Sequence, residues 1–150
     1  MCAIALYVYY PTNENRIRRV ISKSEKAIAS EDIDKLMGLI SYNYSDNYGN
    51  SYLKLKKTFE TAFSRFDDIN IERNIIKISD KDSLAEAELL IRVLASDPSA
   101  SPESENARSY IIGDALDPVK VRIFLKKSPY KWLIIKAEGV FKDKKYYHAM

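Results

Sequence analysis

The chain has 150 residues, the usual size of one domain, and this length can bury a hydrophobic core without disulfide bonds. Its 24 basic and 21 acidic residues are mixed along the sequence, which indicates a solvated surface rather than one specific for nucleic acid. The single cysteine and single histidine, Cys2 and His148, lie at opposite ends of the chain. An internal disulfide is therefore excluded, and neither a Cys/His zinc site nor a histidine-dependent nucleophile is expected.

The N-terminal segment, residues 1–12, is apolar and contains no charge between Cys2 and Tyr10. It is too short to cross a bilayer, which takes about 20 apolar residues, and it lacks the flanks of a signal peptide. Two interpretations are open: an arm that packs on the domain and ends at Pro11, or the last part of a membrane anchor. Localisation is accordingly either cytoplasmic or membrane-anchored, with the domain outside the bilayer.

Three helices are predicted in the first half of the chain. Thr12 or Asn13 caps the first, over residues 13–29, and a second begins at Ser30 with its apolar face extending to Ile40. The segment 41–50 is rich in Ser, Asn and Tyr and predicts a loop. Ser51 then caps a third helix, which has the clearest apolar stripe in the chain and ends before Asp67.

From Ile69 onward the apolar period changes from 3.6 to 2, which indicates β-strands. Strands are predicted at about 69–78, 85–93, 108–112, 119–126 and 132–138, with a flexible loop at 96–107. The predicted fold class is therefore α+β: three helices packed on a curved antiparallel sheet of four to five strands. Strands of this length are expected to wrap around the third helix and leave a cone with an opening.

Two segments carry a family resemblance. Residues 28–41, IASEDIDKLMGLIS, look like the early helical pair of the nuclear-transport-factor-two-like (SnoaL-like) superfamily. Residues 119–139, VKVRIFLKKSPYKWLIIKAEG, are similar to its closing hairpin. The resemblance covers about residues 13–141, implies one cone-shaped domain there, and leaves residues 142–150 as a polar tail.

The resemblance does not supply a catalytic set. The superfamily includes isomerases, dehydratases, epoxide hydrolases and non-catalytic members, so the fold alone does not settle the function. Isomerase-like members use a tyrosine and two acidic groups, but the first helix has no tyrosine. Dehydratase-like members depend on histidines, and His148 lies in the tail. Epoxide-hydrolase-like members use two aspartates bridged by arginine, and the spacing of Asp114, Arg92 and Arg108 cannot be matched to that pattern.

Several residues are weak candidates for a site. Asp114 follows a strand end and is the candidate base, although a turn aspartate that bonds nearby backbone amides is the simpler explanation. Arg92 and Arg108 are more simply placed in surface cross-strand pairs with Glu86 or Glu88. The complete set of ligand-binding candidates is Tyr42, Tyr44, Tyr48, Tyr110, Trp132, Arg92 and Arg108.

Three functions compete. The first is a non-catalytic domain that binds a small apolar ligand or a protein partner, beside a membrane if the N-terminal segment is an anchor. The second is a small lyase, isomerase or hydrolase that uses Asp114 with tyrosines. The third is a homodimer that pairs through the sheet. The missing catalytic set favours a non-catalytic protein, and the sequence implies no metal or cofactor.

Overall fold

The computed structural model describes residues 12–97, 108–113 and 116–139. The apolar residues 1–11, Asp114 and the tail from residue 140 lie outside the described residues. Within the described ranges, no helix combines the length and apolar character that crossing a membrane requires.

Three helices come first in the chain: α1 (Asn13–Ala29), α2 (Ile33–Met37) and α3 (Tyr52–Arg65). Each begins after a residue whose side-chain oxygen accepts a hydrogen bond from a backbone N–H of the first turn. These N-caps are Thr12, Asp32 and Ser51. The predicted caps and ranges of α1 and α3 are confirmed.

The second helix is shorter than predicted at both ends. The hydroxyl of Ser30 donates to Lys26 O at 2.8 Å and thus belongs to the end of α1, while Glu31 turns the chain with a φ of 55°. Asp32, not Ser30, is therefore the cap of α2. At the other end, Ile40 leaves the helix and pairs with Ile134 on the last strand.

The second half of the chain forms one five-stranded antiparallel sheet. Along the sheet β1 pairs with β2, β2 with β4, and β4 with β5, while β3 pairs with the remaining length of β2. The α+β class and the curved sheet are thus confirmed. The strands are β1 (Asp67–Lys81), β2 (Leu84–Ser96), β3 (Arg108–Ile112), β4 (Val119–Ser128) and β5 (Lys131–Glu138).

The two faces of the sheet differ in chemistry. The alternate residues Ala85, Ala87 and Leu89 of β2 are buried on the inner face, as their spacing predicts. The outer face carries cross-strand ion pairs, among them Arg122 with Glu86 and Glu88. The helices therefore cover the inner face, and the outer face is charged.

The predicted pairing of Arg92 is wrong in detail. Arg92 lies on the outer face and contacts Glu72, with 3.8 Å between Nη1 and the carboxylate. The register explains this, because Glu72 of β1 lies directly opposite Arg92, whereas Glu88 lies opposite Arg122 of β4.

The hydrophobic core is divided into two clusters. The larger joins α1 and α2 to the sheet and contains Ile17, Leu36 and Leu125 at its centre. The smaller lies at the other end of the sheet and includes Phe66 and Val93. The partly buried Ile28 and Phe63 pack against both clusters and connect them.

Candidate functional site

A cavity of about 270 Å³ lies between α1, α3 and the inner face of the sheet. Residues of both core clusters line it, so it lies where the two clusters meet. Its described apolar lining is Ile21, Ile28, Leu36, Ile40, Tyr44, Leu55, Phe59, Ala62, Phe63, Phe66, Ile69, Ile71, Leu89, Ile91, Val93, Ile111, Ile112, Val121, Ile123, Ile134 and Ala137.

The helix α3 supplies one wall of the cavity. Its stripe brings Leu55, Phe59, Ala62 and Phe63 to one side, because residues three and four apart share a helix face. Phe59 and Phe63 are only partly buried, and their ring centroids lie 5.9 Å apart. The rings therefore present apolar surface to the cavity.

One ion pair interrupts the apolar lining. Glu25 of α1 and Arg73 of β1 are the charged side chains among the described residues that line the cavity. Arg73 Nε donates a hydrogen bond to Glu25 Oε2, and the two side chains are 26% and 25% exposed. A partly buried charge requires a partner, and each of these residues supplies the other's.

The hydroxyl groups of the cavity are already engaged as donors. Ser24 Oγ donates to Val20 O at 2.8 Å, and Thr58 Oγ1 donates to Lys54 O at 2.9 Å. Such bonds to the preceding turn are common for Ser and Thr within helices. Only their acceptor lone pairs therefore remain for a ligand.

The loop between α2 and α3 closes over one end of the cavity through Tyr44. Tyr44 is 4% exposed, lines the cavity, and donates from its hydroxyl to Asp46 Oδ2 at 2.8 Å. Asp46 also accepts from the backbone N–H groups of Tyr48 and Asn50, at 2.9 and 3.0 Å, and from the Asn50 side chain. The Asp46 carboxylate thus connects the buried tyrosine to the backbone of the loop.

These contacts move two pKa values in opposite directions. Burial, with the hydrogen bond to Asp46, raises the pKa of the Tyr44 hydroxyl well above its ordinary value of 10.0. Burial alone would raise the pKa of Asp46, but the hydrogen bonds from Asn50, Tyr44 and Tyr48 outweigh it and hold the pKa below its usual range. Tyr44 therefore stays protonated and Asp46 ionised near neutral pH.

The other predicted site residues do not gather at the cavity. Tyr42 is 85% exposed, with its ring 4.8 Å from that of Tyr52, and Tyr48 accepts a hydrogen bond from the Gly139 N–H. Trp132 is buried in the larger core cluster, where its Nε1 has no hydrogen-bond partner among the described residues. Of the predicted residues with described side chains, Tyr44 is the one that lines the cavity.

Three further candidates cannot be placed in the same way. Arg108 and Tyr110 belong to β3, where their backbones pair with Ser96 and Leu94, but their side chains are outside the described part of the molecule. Asp114 also lies outside the described residues. Its neighbours in the chain, Ile111 and Ile112, line the cavity.

The sequence analysis missed Glu25 and Arg73 as site residues. Arg73 follows Ile69 and Ile71 in the period-2 pattern of β1, and this alternation alone places it on the inner face. Glu25 lies in the apolar stripe of α1, between Ile21 and Ile28. A charged residue on each of two facing apolar surfaces was the signal for a pair inside the fold.

Within residues 12–97, 108–113 and 116–139, no group of three or more His, Cys, Asp or Glu side chains is placed to hold a metal ion.

Comparison with known proteins shows which fold the chain shares. No family model matches the chain, and no curated protein matches it. Several solved structures, however, match the chain. A candidate dehydratase of the nuclear-transport-factor-two-like family from Streptomyces avermitilis superimposes with a TM-score of 0.64 at 9% identity, over 81% of this chain and 91% of that one. The chain has the nuclear-transport-factor-two-like fold.

Two further structures share the nuclear-transport-factor-two-like fold of this chain. A ketosteroid isomerase-like protein from Erwinia carotovora atroseptica is 11% identical, with a TM-score of 0.60 over 84% of this chain and 95% of that one. A protein from Bdellovibrio bacteriovorus is 14% identical, with a TM-score of 0.64 over 85% of this chain, and the chain spans 40% of its length. At these identities the likeness concerns the fold, and function must be argued from the site.

Proposed function

We propose that the chain is a non-catalytic binding domain that holds a small apolar ligand in the cavity between α1, α3 and the sheet. The observation that carries this proposal is the cavity itself, with about 270 Å³ of space and a lining that is apolar apart from a few polar groups. Small-molecule sites typically combine such an apolar concavity with a few placed polar groups. A dry cavity of roughly 150 Å³ binds benzene, so a ligand with roughly ten to fifteen non-hydrogen atoms suits this one.

Burial of apolar surface supplies the driving force for binding. Phe59 and Phe63 on α3 are incompletely buried, and a ligand would remove their exposed faces from water. Transfer of apolar area out of water stabilises a complex by about 25 cal/mol per Å². Naphthalene, a rigid and uncharged molecule, therefore serves as the first probe.

Calorimetric titration with naphthalene tests the proposal. We expect the wild-type chain to bind it with a Kd of roughly 10 to 100 µM, from the affinity per atom of small ligands. Ala62→Leu fills part of the cavity from the α3 wall and should weaken binding by about tenfold. Thr61→Leu changes the next residue, which is exposed, and is the matched control. Absence of binding by the wild type, or equal binding by Ala62→Leu, would contradict the proposal.

A second candidate function is a small lyase, isomerase or hydrolase. It draws on the names of two structures with this fold, a candidate dehydratase and an isomerase-like protein, and on the carboxylate of Glu25 in the cavity. Asp114, the base expected from the sequence, follows two residues that line the cavity. Turnover of a panel of small ketones, alcohols and epoxides that is unchanged in Asp114→Asn and in Glu25→Gln would contradict it.

A further inference from the structure

Arg73 is the one cation among the described residues that line the cavity. Its guanidinium carries five N–H groups in a planar fork, and Nε uses one of them on Glu25 Oε2. Nη1 and Nη2 have no hydrogen-bond partner among the described residues, although the side chain is only 26% exposed. Arg73 is one of the residues that line the cavity, so these N–H groups are the candidate donors to a molecule bound there.

The other polar groups do not compete for that role. The hydroxyl hydrogens of Ser24 and Thr58 bond the backbone of their own helices, and the hydrogen of Tyr44 bonds Asp46. Donors toward a ligand therefore come chiefly from Arg73. A ligand that matches this lining has to offer an acceptor.

The charge balance of the cavity limits what kind of acceptor fits. Glu25 offsets the positive charge of Arg73, so the described lining is neutral as a whole. A carboxylate ligand would gain from Arg73 but would be repelled by Glu25, and it would also lose its hydration. An uncharged acceptor such as a carbonyl oxygen avoids both costs.

We infer that the ligand is an uncharged, mostly apolar molecule whose carbonyl-type oxygen accepts hydrogen bonds from Arg73. This inference rests on the proposed binding function and adds the chemical class of the ligand. The apolar body fills the space between α3 and the sheet, and the oxygen is held at the Glu25–Arg73 pair.

Three naphthalenes of nearly equal size test the inference: 2-acetylnaphthalene, 2-ethylnaphthalene and 2-naphthoate. The ketone 2-acetylnaphthalene has an uncharged acceptor, 2-ethylnaphthalene has no acceptor, and 2-naphthoate is an anion. We expect the ketone to bind about tenfold more tightly than the ethyl compound, the effect typical of a hydrogen bond to a charged donor. The naphthoate should be the weakest of the three at neutral pH.

A double variant connects the preference to the ion pair. Arg73→Met with Glu25→Gln removes the donors and leaves no unpaired charge, and it should bring the affinities for the ketone and the ethyl compound within about twofold of each other. The matched control is Arg92→Met with Glu72→Gln, which removes a pair between β1 and β2 on the outer face. The control should keep the tenfold preference.

The outcomes separate this inference from the proposed function. Equal binding of the ketone and the ethyl compound, or tightest binding of the naphthoate, overturns the inference while the binding function stands. A preference that survives in the Arg73→Met/Glu25→Gln variant also overturns it. If none of the three compounds binds to the wild type, the proposed function fails as well.

Discussion

Asp46 is the residue on which the loop between α2 and α3 depends. Its two carboxylate oxygens accept four hydrogen bonds, from Tyr44, Tyr48 and twice from Asn50. Removal of the carboxylate would leave the buried Tyr44 hydroxyl without its acceptor. Asp46 therefore ties together three residues of the loop.

We predict that Asp46→Ala lowers the free energy of unfolding by about 1 to 3 kcal/mol, the usual cost of leaving a buried polar group without its partner. Urea denaturation followed by circular dichroism measures the change. Asp67→Ala, which removes an exposed carboxylate, is the control and should change the stability little. A loss as small as that of the control would contradict the role of Asp46.

The lowered pKa of Asp46 also predicts a pH dependence. A carboxyl group whose pKa is lower in the folded than in the unfolded chain stabilises the fold above the unfolded value, here near 3.8. That contribution is lost as the pH falls through the folded pKa. The difference in stability between wild type and Asp46→Ala should therefore begin to narrow below about pH 4, which thermal unfolding from pH 7 down to about pH 2 would measure. A constant difference would contradict the assignment.

Two arginine–glutamate pairs that involve β1, one on the inner and one on the outer face of the sheet, should differ in strength. Glu25 and Arg73 are both about three-quarters buried and share a hydrogen bond, whereas Glu72 is 51% exposed and lies 3.8 Å from Arg92. A double-mutant cycle with Gln and Met should give a coupling of about 1 to 2 kcal/mol for the inner pair. The outer pair should give less than about 1 kcal/mol, and equal couplings would contradict the difference in burial.

At the scale of elements, the end of β5 is held tightly against β4. Gly139 follows β5 with a φ of 95°, and a Cβ there would lie 2.3 Å from Lys120 O. Gly49 has a similar φ of 82°, but a Cβ there would meet nothing within 4 Å. A substitution at Gly49 therefore measures the cost of the backbone conformation alone. The same substitution at Gly139 adds the cost of the clash with Lys120.

We predict that Gly49→Ala costs about 1 to 2 kcal/mol, the penalty of a left-handed conformation for a residue with a Cβ. Gly139→Ala should cost at least about 2 kcal/mol more, because β4 and β5 must also separate. Denaturant unfolding of both variants measures the difference. Equal losses would show that the contact with Lys120 relaxes freely.

The periodic elements could be predicted from the sequence, because each stripe is a local property of a few turns or a few alternating residues. α1, α3 and the five strands follow in this way. The early end of α2 could not be predicted in this way. Ile40 leaves the helix because it pairs with Ile134 of β5, some 90 residues later in the chain. The partner of Arg92 was missed for a related reason, since register depends on how strands align.

The site was less predictable than the elements. Tyr44 was predicted as one of three tyrosines, but the sequence does not show that Asp46 would hold it and leave Tyr42 exposed. Glu25 and Arg73 each lie on a predictable inner face, but their contact joins residues 48 positions apart. Such pairs arise only when the helix packs on the sheet.

At the scale of the whole molecule, association through the sheet stays a prediction. The outer face presents both signs of charge, with Glu86 and Glu88 beside Arg122, so a second copy can place opposite charges against them. Light scattering at micromolar concentration should then give twice the chain mass of 17.3 kDa. Arg122→Glu should shift the mass toward the monomer, and a monomeric wild type would contradict the prediction.

The central position of β2 has a consequence for ligand exchange. β2 is bonded along one edge to β1 and along the other to β4 and β3, so its amides should be among the slowest of the molecule to exchange with deuterium. We therefore predict that a ligand does not leave the cavity between these strands. Its residence time should therefore not depend on the global stability of the sheet.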